Sequence, residues 1–304
     1  MSYAVGIDIG GTHIRLAIVS KTGKIEQVIK EKTDKSNGKD SLLTQIVSLY
    51  HQLDIKKYQP IGIGIGVPGP VNPKDGSVYV IPNLNITDIP LKEYVKQHLG
   101  LPVYVGNDAN VAALAEASVG NGKDAEVVQY LTLSTGIGGG LILSKKMITG
   151  HYGFGQEVGS MIIQRGGRRP SAFKAGGCIE GLASGQMLME QAKEANLLLN
   201  HAGELFLLAE QKNEVALKIK NEWLENMAAF IGSIVAYMEP DIFVLGGGLM
   251  QSKQYFLEEL KEKVNDYVFE YLKGKIKIVP AKYDQDAGII GAAMQVFTSL
   301  SLGD

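Results

Sequence analysis

Two clusters of glycine, each placed where an apolar run turns back on itself, constrain this chain more than any other feature: Asp8-Ile9-Gly10-Gly11-Thr12 and Ser134-Thr135-Gly136-Ile137-Gly138-Gly139-Gly140. Tyr3 to Ile9 and His13 to Val19, rich in Val and Ile, flank the first, and Lys21-Thr22-Gly23-Lys24 turns the chain into a third strand ending near Lys32. That pattern reads as an antiparallel meander. Glu126 to Leu133 and Gly138 to Ser144 flank the second cluster in the same way. At one common shift, Ala17 to Lys21 falls on Leu141 to Lys145, and Asp8 to Thr12 falls on Thr132 to Gly136. The coincidence points to an internal duplication, with a polar glycine tip in each half.

Glycine has no Cβ, so at such a tip the backbone can approach an anion closely and turn its N–H groups toward it. Asp8 adds a carboxylate suited to hydrated Mg²⁺, and Thr12 a hydroxyl that can donate to a phosphate oxygen. Taken alone, the first tip reads equally as an ordinary Gly-Gly hairpin. The second repeats the design with two hydroxyls and matches neither the Walker spacing nor the dinucleotide fingerprint. Together the two tips point to nucleotide phosphates.

Between and beyond the tips, Ser41 to Leu53 has helical apolar spacing, and Ile61 to Val67 alternates apolar residues with glycine as a tightly packed strand. Pro102 to Val105 is a short strand running into a helix over Ala109 to Val119, and Gly120-Asn121-Gly122-Lys123 reads as a lobe boundary. The second half predicts helices over Ile179 to Asn200, about Val215 to Met238, Lys253 to Lys273 and Gln285 to Leu300. Pro240 ends the long one. Asp241 to Leu245 is a buried strand leading into Gly246-Gly247-Gly248 and a further helix. Strands joined by crossover helices imply an α/β fold. With 304 residues the chain is near the size at which one core divides into two. Two lobes with a cleft are expected: a small one over 1–119 with about 290–304, and a large one over 120–289.

The 30 Lys and Arg against 32 Asp and Glu give a net charge of -2, without the basic surplus that a nucleic-acid backbone requires. The single cysteine, Cys178, cannot form an internal disulfide, and Met1 to Val5 has no signal-peptide pattern. A cytoplasmic location is expected. No run reaches the roughly 18 apolar residues of a membrane span, so neither nucleic acid nor membrane is an expected partner.

Asn107-Asp108 lies between a strand and a helix, where Asp108 reads as the helix N-cap. The same carboxylate, at the carboxyl end of a strand, is placed to accept a proton from an attacking hydroxyl. Pro68-Gly69-Pro70-Val71 makes a rigid turn and Pro82-Asn83-Leu84-Asn85 offers side-chain amides; turn chemistry explains both equally well. Glu157 and Glu180 read as surface carboxylates.

In this order, Asp8 to Thr12, Gly66 to Val71, Pro82-Asn83-Leu84, Asn107-Asp108, Ser134 to Gly140 and Val244 to Gly248 make the chain resemble the sugar kinases of the ROK family, from Tyr3 to about Ala293. The resemblance implies a two-lobed, duplicated actin-like ATPase (ribonuclease H-like) fold. It implies transfer of the ATP γ-phosphoryl group to a hexose hydroxyl, usually the 6-hydroxyl of an aldose such as glucose or its epimer allose, with Asp108 as general base. Gly69, Asn83, Asn107, Asp108, Glu157, Ser160 and Glu180 would face the sugar. Asp8, Gly10, Gly11, Thr12, Thr135, Gly136, Gly246 and Gly247 would serve the nucleotide, with Asp8 holding Mg²⁺ through water. A homodimer is also implied.

The sequence departs from the family at one place. Many members carry Gly-Glu-x-Gly-His and then Cys-x-Cys-Gly-x-x-Gly-Cys-x-Glu, whose His and three Cys bind structural zinc. Here Ser160 stands for the His, Ser171 and Phe173 stand for two Cys, and only Cys178 remains. One thiol does not make a tetrahedral site, so no zinc is expected. Ser160 also reaches less far than His toward the sugar, which leaves the choice of sugar open. Thr12-His13-Ile14-Arg15 is similar to allose kinases as well as glucokinases. Arg165, Arg168 and Arg169 read as a solvated loop.

The same family includes sugar-responsive repressors, and a sugar-sensing regulator without a DNA-binding domain is the alternative reading. A helix-turn-helix would need room ahead of the hairpin at Tyr3. A binder that has lost catalysis would not be expected to keep Asp8, Asp108 and both tips, and an ATPase acting on proteins would not need the Asn83, Asn107 and Glu157 set.

Overall fold

The computed structural model describes residues 2–171 and 174–302. The chain opens with β1 (Tyr3–Ile9), β2 (His13–Ser20) and β3 (Ile25–Lys32), followed by α1 (Gly38–Tyr50), α2 (Ile55–Tyr58) and β4 (Ile63–Val67). A hairpin of β5 (Val78–Ile81) and β6 (Ile86–Ile89) precedes α3 (Leu91–Leu99), β7 (Val103–Asn107) and α4 (Asp108–Val119). Then come β8 (Val127–Leu133), β9 (Ile137–Leu143), β10 (Lys146–Met147), α5 (Ile179–Ala183), α6 (Gly185–Glu194), α7 (Glu204–Glu210) and α8 (Glu214–Met238). The last elements are β11 (Ile242–Gly246), α9 (Leu257–Val264), β12 (Ile278–Pro280) and α10 (Ala287–Leu302).

The strands form two five-stranded sheets, ordered β3-β2-β1-β4-β7 and β10-β9-β8-β11-β12. Each is a three-stranded meander with two further strands beside its first member. The shift seen in the sequence carries Tyr3 onto Val127, Ile9 onto Leu133 and His13 onto Ile137, so it matches strand end to strand end. The duplication is therefore one of topology as well as of residues.

The residues group into two compact units: Met1–Tyr130 with Gly140–Gln156 and Lys282–Asp304, and Leu131–Gly139 with Glu157–Ala281. Gly120-Asn121-Gly122-Lys123 lies within the first unit, and the division runs through β8 and β9 instead. The 120–289 stretch is thus shared between the units.

In the first unit β1 and β4 pair in parallel with Gly6 opposite Gly64, and β4 and β7 pair in parallel. Those glycines have a packing reason. A Cβ on Gly64 would fall inside the carbonyl oxygen of Ala292, and one on Gly6 inside that of Ile289, so the backbone of α10 lies directly on the sheet. Gly291 does the same where α10 crosses α4, since a Cβ there would strike the carbonyl of Val111. A side chain at any of these points would push helix and sheet apart.

The core of the second unit is built around α8. Asn213 caps it by accepting from the Ala216 N–H at 3.0 Å, and Glu239 ends it in left-handed conformation (φ 42°) just before Pro240. Its Trp223, Met227, Phe230, Ile231 and Ile234 are buried. Phe206 and Phe256 close around Trp223, with ring centroids 4.7–5.0 Å apart.

Some expected elements differ. The helix over Ile179 to Asn200 is two helices, because Ser184 breaks it and caps the second by accepting from the Met187 N–H at 3.3 Å. The helix over Lys253 to Lys273 is a 3-10 segment over Gly248–Tyr255, then α9, then short 3-10 turns. The sequence reading missed β5, β6, α2, α3, α7 and β12. No helix among the described residues is long and apolar enough to cross a membrane.

Gly64→Ala is expected to destabilise the protein by about 1–3 kcal/mol or more through overpacking. Urea unfolding monitored by circular dichroism measures it; an unchanged midpoint would mean α10 yields freely.

Candidate functional site

The candidate residues fall into two groups, one in each unit. In the first, Asp8 of β1 pairs with Gly66 of β4, and Gly66 with Gly106 of β7. Asp8 and the Asn107-Asp108 step therefore stand at the same end of three parallel strands, two strand spacings or about 10 Å apart. The carboxyl end of a parallel sheet is the usual place for ligand-binding groups in α/β folds.

The tip between β1 and β2 is held tightly. The Gly10 N–H donates to the His13 carbonyl at 2.8 Å. Thr33, at the end of β3, donates its hydroxyl to the Gly10 carbonyl at 2.7 Å and its N–H to the Thr12 carbonyl at 3.0 Å. Gly11 packs on the next part of the site, since a Cβ there would come within 2.9 Å of the Asn83 Cβ. The fold thus brings Gly10, Gly11 and Thr12 to Asn83, which stands exposed on the 3-10 turn Pro82–Leu84.

Asp8 has partners that the sequence did not disclose. Its Oδ2 accepts from Arg15 Nη2 at 2.6 Å and Nε at 3.1 Å. The same guanidinium reaches Asp286 Oδ1 at 3.0 Å and also donates to the Gln285 carbonyl. A Cβ at Gly288, in the first turn of α10, would lie 3.0 Å from Asp8 Oδ1. Arg15, Asp286 and Gly288 thus complete this end of the site. Asp8 gives one oxygen to Arg15 and keeps the other, a donor set that fits a hydrated Mg²⁺ met through water and not one wrapped by protein oxygens.

Asn107, not Asp108, caps α4. Its Oδ1 accepts from the N–H groups of Ala109 at 3.0 Å and Asn110 at 3.3 Å. Its Nδ2 donates to the Gly69 carbonyl at 3.2 Å. Gly69 has φ +120°, and a Cβ there would collide with the Val80 carbonyl, so only glycine serves. Asp108 becomes the first helical residue, exposed, with Oδ1 accepting from the Ala109 N–H at 2.8 Å. The capping role read for Asp108 passes to its neighbour because Asn107 alone has the extended backbone, ψ 146°, that a cap needs.

In the second unit the tip is tied to two helices. Ser134 donates its N–H to the Gly136 carbonyl at 3.0 Å. The Ser134 and Thr135 carbonyls accept from the Gly185 and Gln186 N–H groups, at 2.8 and 3.1 Å, at the start of α6. Glu180, in the first turn of α5, accepts from the Ile137 N–H at 3.1 Å and pairs with Lys174 at 3.0 Å. It is therefore not the free surface carboxylate its sequence context suggested. Glu157 and Ser160, at the two ends of one 3-10 turn, are exposed.

Thr135 also lines a cavity of about 530 Å³ with Ser134, Gln186, Met189, His201 and Gly248. Gly246 and Gly247 stand beside it: Gly246 ends β11 and is buried, and Gly247, at φ +91°, lies against the Leu133 backbone. Gln186, Met189 and His201 were not foreseen, because no local motif marks them.

The zinc segment is closed by backbone. Ile162 and Cys178 form an antiparallel bridge, and Cys178 is buried. Ser160 and Ser171 offer hydroxyls where imidazole and thiolate would be needed and Cys178 a single thiol, a donor set that does not fit zinc; Phe173 lies outside the described residues. Arg168 is held by Glu194, with Nη1 to Oε1 at 2.8 Å, and this pairing keeps the Glu194 carboxyl below the usual range.

The family model described as "ROK family" matches residues 4–298. A glucokinase of Thermotoga maritima is 30% identical over 304 residues, 95% of each chain. A putative xylose repressor of Caldicellulosiruptor is 29% identical over 97% of this chain and 78% of its own length. Among solved structures, a ROK hexokinase of Thermus thermophilus aligns with TM-score 0.88 and 28% identity over 99% of this chain and 100% of that one. A ROK glucokinase of Streptomyces griseus, in complex with glucose and AMPPNP, aligns with TM-score 0.79 and 27% identity over 98% and 100%.

Asn107→Ala is expected to lower unfolding free energy by about 1–2 kcal/mol, and Asp108→Ala by less than about 0.5 kcal/mol. Equal losses in urea titrations would return the cap to Asp108.

Proposed function

Since the chain belongs to the ROK family, with the actin-like ATPase fold of its sugar kinases, we propose that it is an ATP-dependent hexose kinase acting on the 6-hydroxyl of an aldohexose, glucose or an epimer such as allose. Sugar kinase is the class its glucokinase relatives share. The acceptor, the base and the metal are the finer parts of the proposal. One observation supports it most: the first unit gathers Asp8, the Gly10-Gly11 tip, Asn83 and the Asn107-Asp108 step at one end of its parallel strands.

In this reading Asp108 takes the proton from the acceptor hydroxyl as that oxygen bonds to the γ-phosphorus, and the bond to the β-phosphate oxygen breaks to release ADP. Gly69, Asn83 and Asn107, with Glu157, Ser160 and Glu180, bind and orient the sugar. Polyol recognition needs such amides and carboxylates so that no buried hydroxyl is left unpaired. Gly11, Thr12, Thr135 and Gly136 turn donors to the phosphates, Gly10 lets the first tip approach them closely while its N–H closes the turn on His13, and Gly246 and Gly247 support the adenosine side. Mg²⁺, when bound through water at Asp8, supplies charge neutralisation; Arg15 holds the Asp8 carboxylate in a fixed orientation for that role.

The division of labour is part of the proposal: residues 1–119 carry the base, the first phosphate tip and part of the sugar set, and residues beyond 120 carry the second phosphate tip, the adenosine side and the Glu157, Ser160 and Glu180 part of the sugar set. A cytoplasmic homodimer is proposed as well. The apolar face of α8 around Trp223 is core and does not supply the dimer contact. Sedimentation at twice the chain mass is the expected result, and a monomer at all concentrations would remove the dimer.

The repressor relative supports a second reading, a sugar-sensing regulator. Turnover decides between them. ATP consumption with Mg²⁺ is to be measured with glucose, mannose, allose, fructose, N-acetylglucosamine, N-acetylmannosamine and a β-glucoside, each against a sugar-free blank. A kinase shows one clear acceptor; ATP turnover that no sugar raises favours the regulator. Asp108→Asn is expected to cut turnover about 10²–10⁴-fold while the melting temperature holds, because Asn107 supplies the cap. Retained turnover in that variant would discard Asp108 as the base.

A further inference from the structure

Glu180 is boxed in by its own unit. Oε2 accepts the Ile137 N–H at 3.1 Å, and a Cβ on Gly136 or Gly159 would come within 2.7 or 3.3 Å of that same oxygen. Oε1 is left to face Lys174, whose Nζ lies 3.0 Å away. The two side chains are 21% and 22% exposed, so the pair sits at the edge of solvent and not in the core. With one oxygen fixed to the hairpin backbone, the carboxylate turns only by breaking that bond.

The ammonium has three donors and Glu180 takes one. A group that reaches Glu180 Oε1 from solvent therefore also meets a cation. Besides the neutral Ser160 hydroxyl, the sugar residues proposed in the second unit are two carboxylates, Glu157 and Glu180, which accept and cannot donate. Arg168 is engaged with Glu194 and does not serve. In the family pattern quoted above the position of Lys174 is glycine and that of Ser160 is histidine. In this chain the side chain able to carry positive charge is at 174.

We propose that Lys174 is a specificity-determining residue of the sugar half-site: it fixes the Glu180 carboxylate and makes it one half of a donor–acceptor pair that reads a single sugar hydroxyl in both directions. That hydroxyl donates to Glu180 Oε1 and accepts from Lys174 Nζ. A deoxy sugar can do neither, and a hydroxyl blocked as a methyl ether can only accept. The inference rests on Glu180 facing the sugar, as in the proposed function.

The test uses the full chain with Mg²⁺-ATP and its best hexose, and compares the wild type with Lys174→Met and Lys174→Arg. Lys174→Met is expected to raise KM for the hexose about ten- to a hundredfold, the worth of a hydrogen bond to a charged group. Neither kcat nor KM for ATP should move more than about twofold. Lys174→Arg should recover most of the loss. The monodeoxy and mono-O-methyl derivatives of that hexose should show one ring position where wild type discriminates strongly and Lys174→Met does not. A purely structural role would shift kcat, both KM values and the melting temperature together, with no ring position singled out, and that outcome overturns the inference. So does a hexose KM unchanged in Lys174→Met. Titration calorimetry with hexose alone separates the two levels: wild type that neither binds nor phosphorylates any hexose fails the kinase reading itself, and with it this inference. Wild type that does both, with variants indistinguishable from it, fails this inference alone.

Discussion

The first unit depends on how closely α10 lies to the sheet. Backbone carbonyls of Ile289 and Ala292 occupy the space where side chains of Gly6 and Gly64 would stand, and Val111 meets Gly291 in the same way. Helix-to-sheet contact without intervening side chains is rigid, because close-packed backbone has no rotamer to relax through. It also sets where α10 begins. Its first turn brings Gly288 to Asp8, and Asp286, the residue before it, reaches Arg15. A glycine row inside the core thus fixes the geometry of a charged cluster at the end of the strands.

That dependence explains what the sequence could and could not disclose. The hairpin tips were legible because their signal is local: a strand, a glycine tip and a returning strand all fall within about twenty residues, and their repeat aligns strand ends. The Arg15–Asp286 pair was not, since its members lie 271 positions apart and each reads alone as an ordinary surface charge. Asn107 and Asp108 are both good caps by residue type, and backbone dihedrals decide between them. Ser184 was overlooked because apolar spacing continues on either side of it, although a serine that caps one helix must end the one before. The β5–β6 hairpin escaped notice because strands of only four residues leave too little alternation to register.

Glu180 shows the same limit from the other side. Sequence context makes it a carboxylate near a turn, whereas the fold places it under the second tip, tied to the Ile137 N–H. The two tips share a backbone design and differ in what secures them. The first is held by Thr33 from its own sheet, and the second by α6 and Glu180. A duplicated frame has therefore acquired different supports in its two copies, and the supports, more than the glycines, give each half its own chemistry.

The altered zinc segment carries that argument one step further. A metal holds a loop by linking side chains, and a chain without the ligands must close the loop by other bonds. Here the closure is main chain: Ile163 donates to Gly177 at 2.9 Å, Gly177 to Arg168 at 2.7 Å and Ile179 to Met161 at 2.9 Å. Gly177 takes part because it adopts φ +84°, and a Cβ there would strike the Gln164 carbonyl. These bonds need no particular side chain at Ser160 or Ser171, which frees those positions from ligation. In the proposed function, Ser160 is then left to sugar contact without a structural duty. The loop closure that a metal gives where the quoted Cys and His pattern is complete is carried here by the backbone.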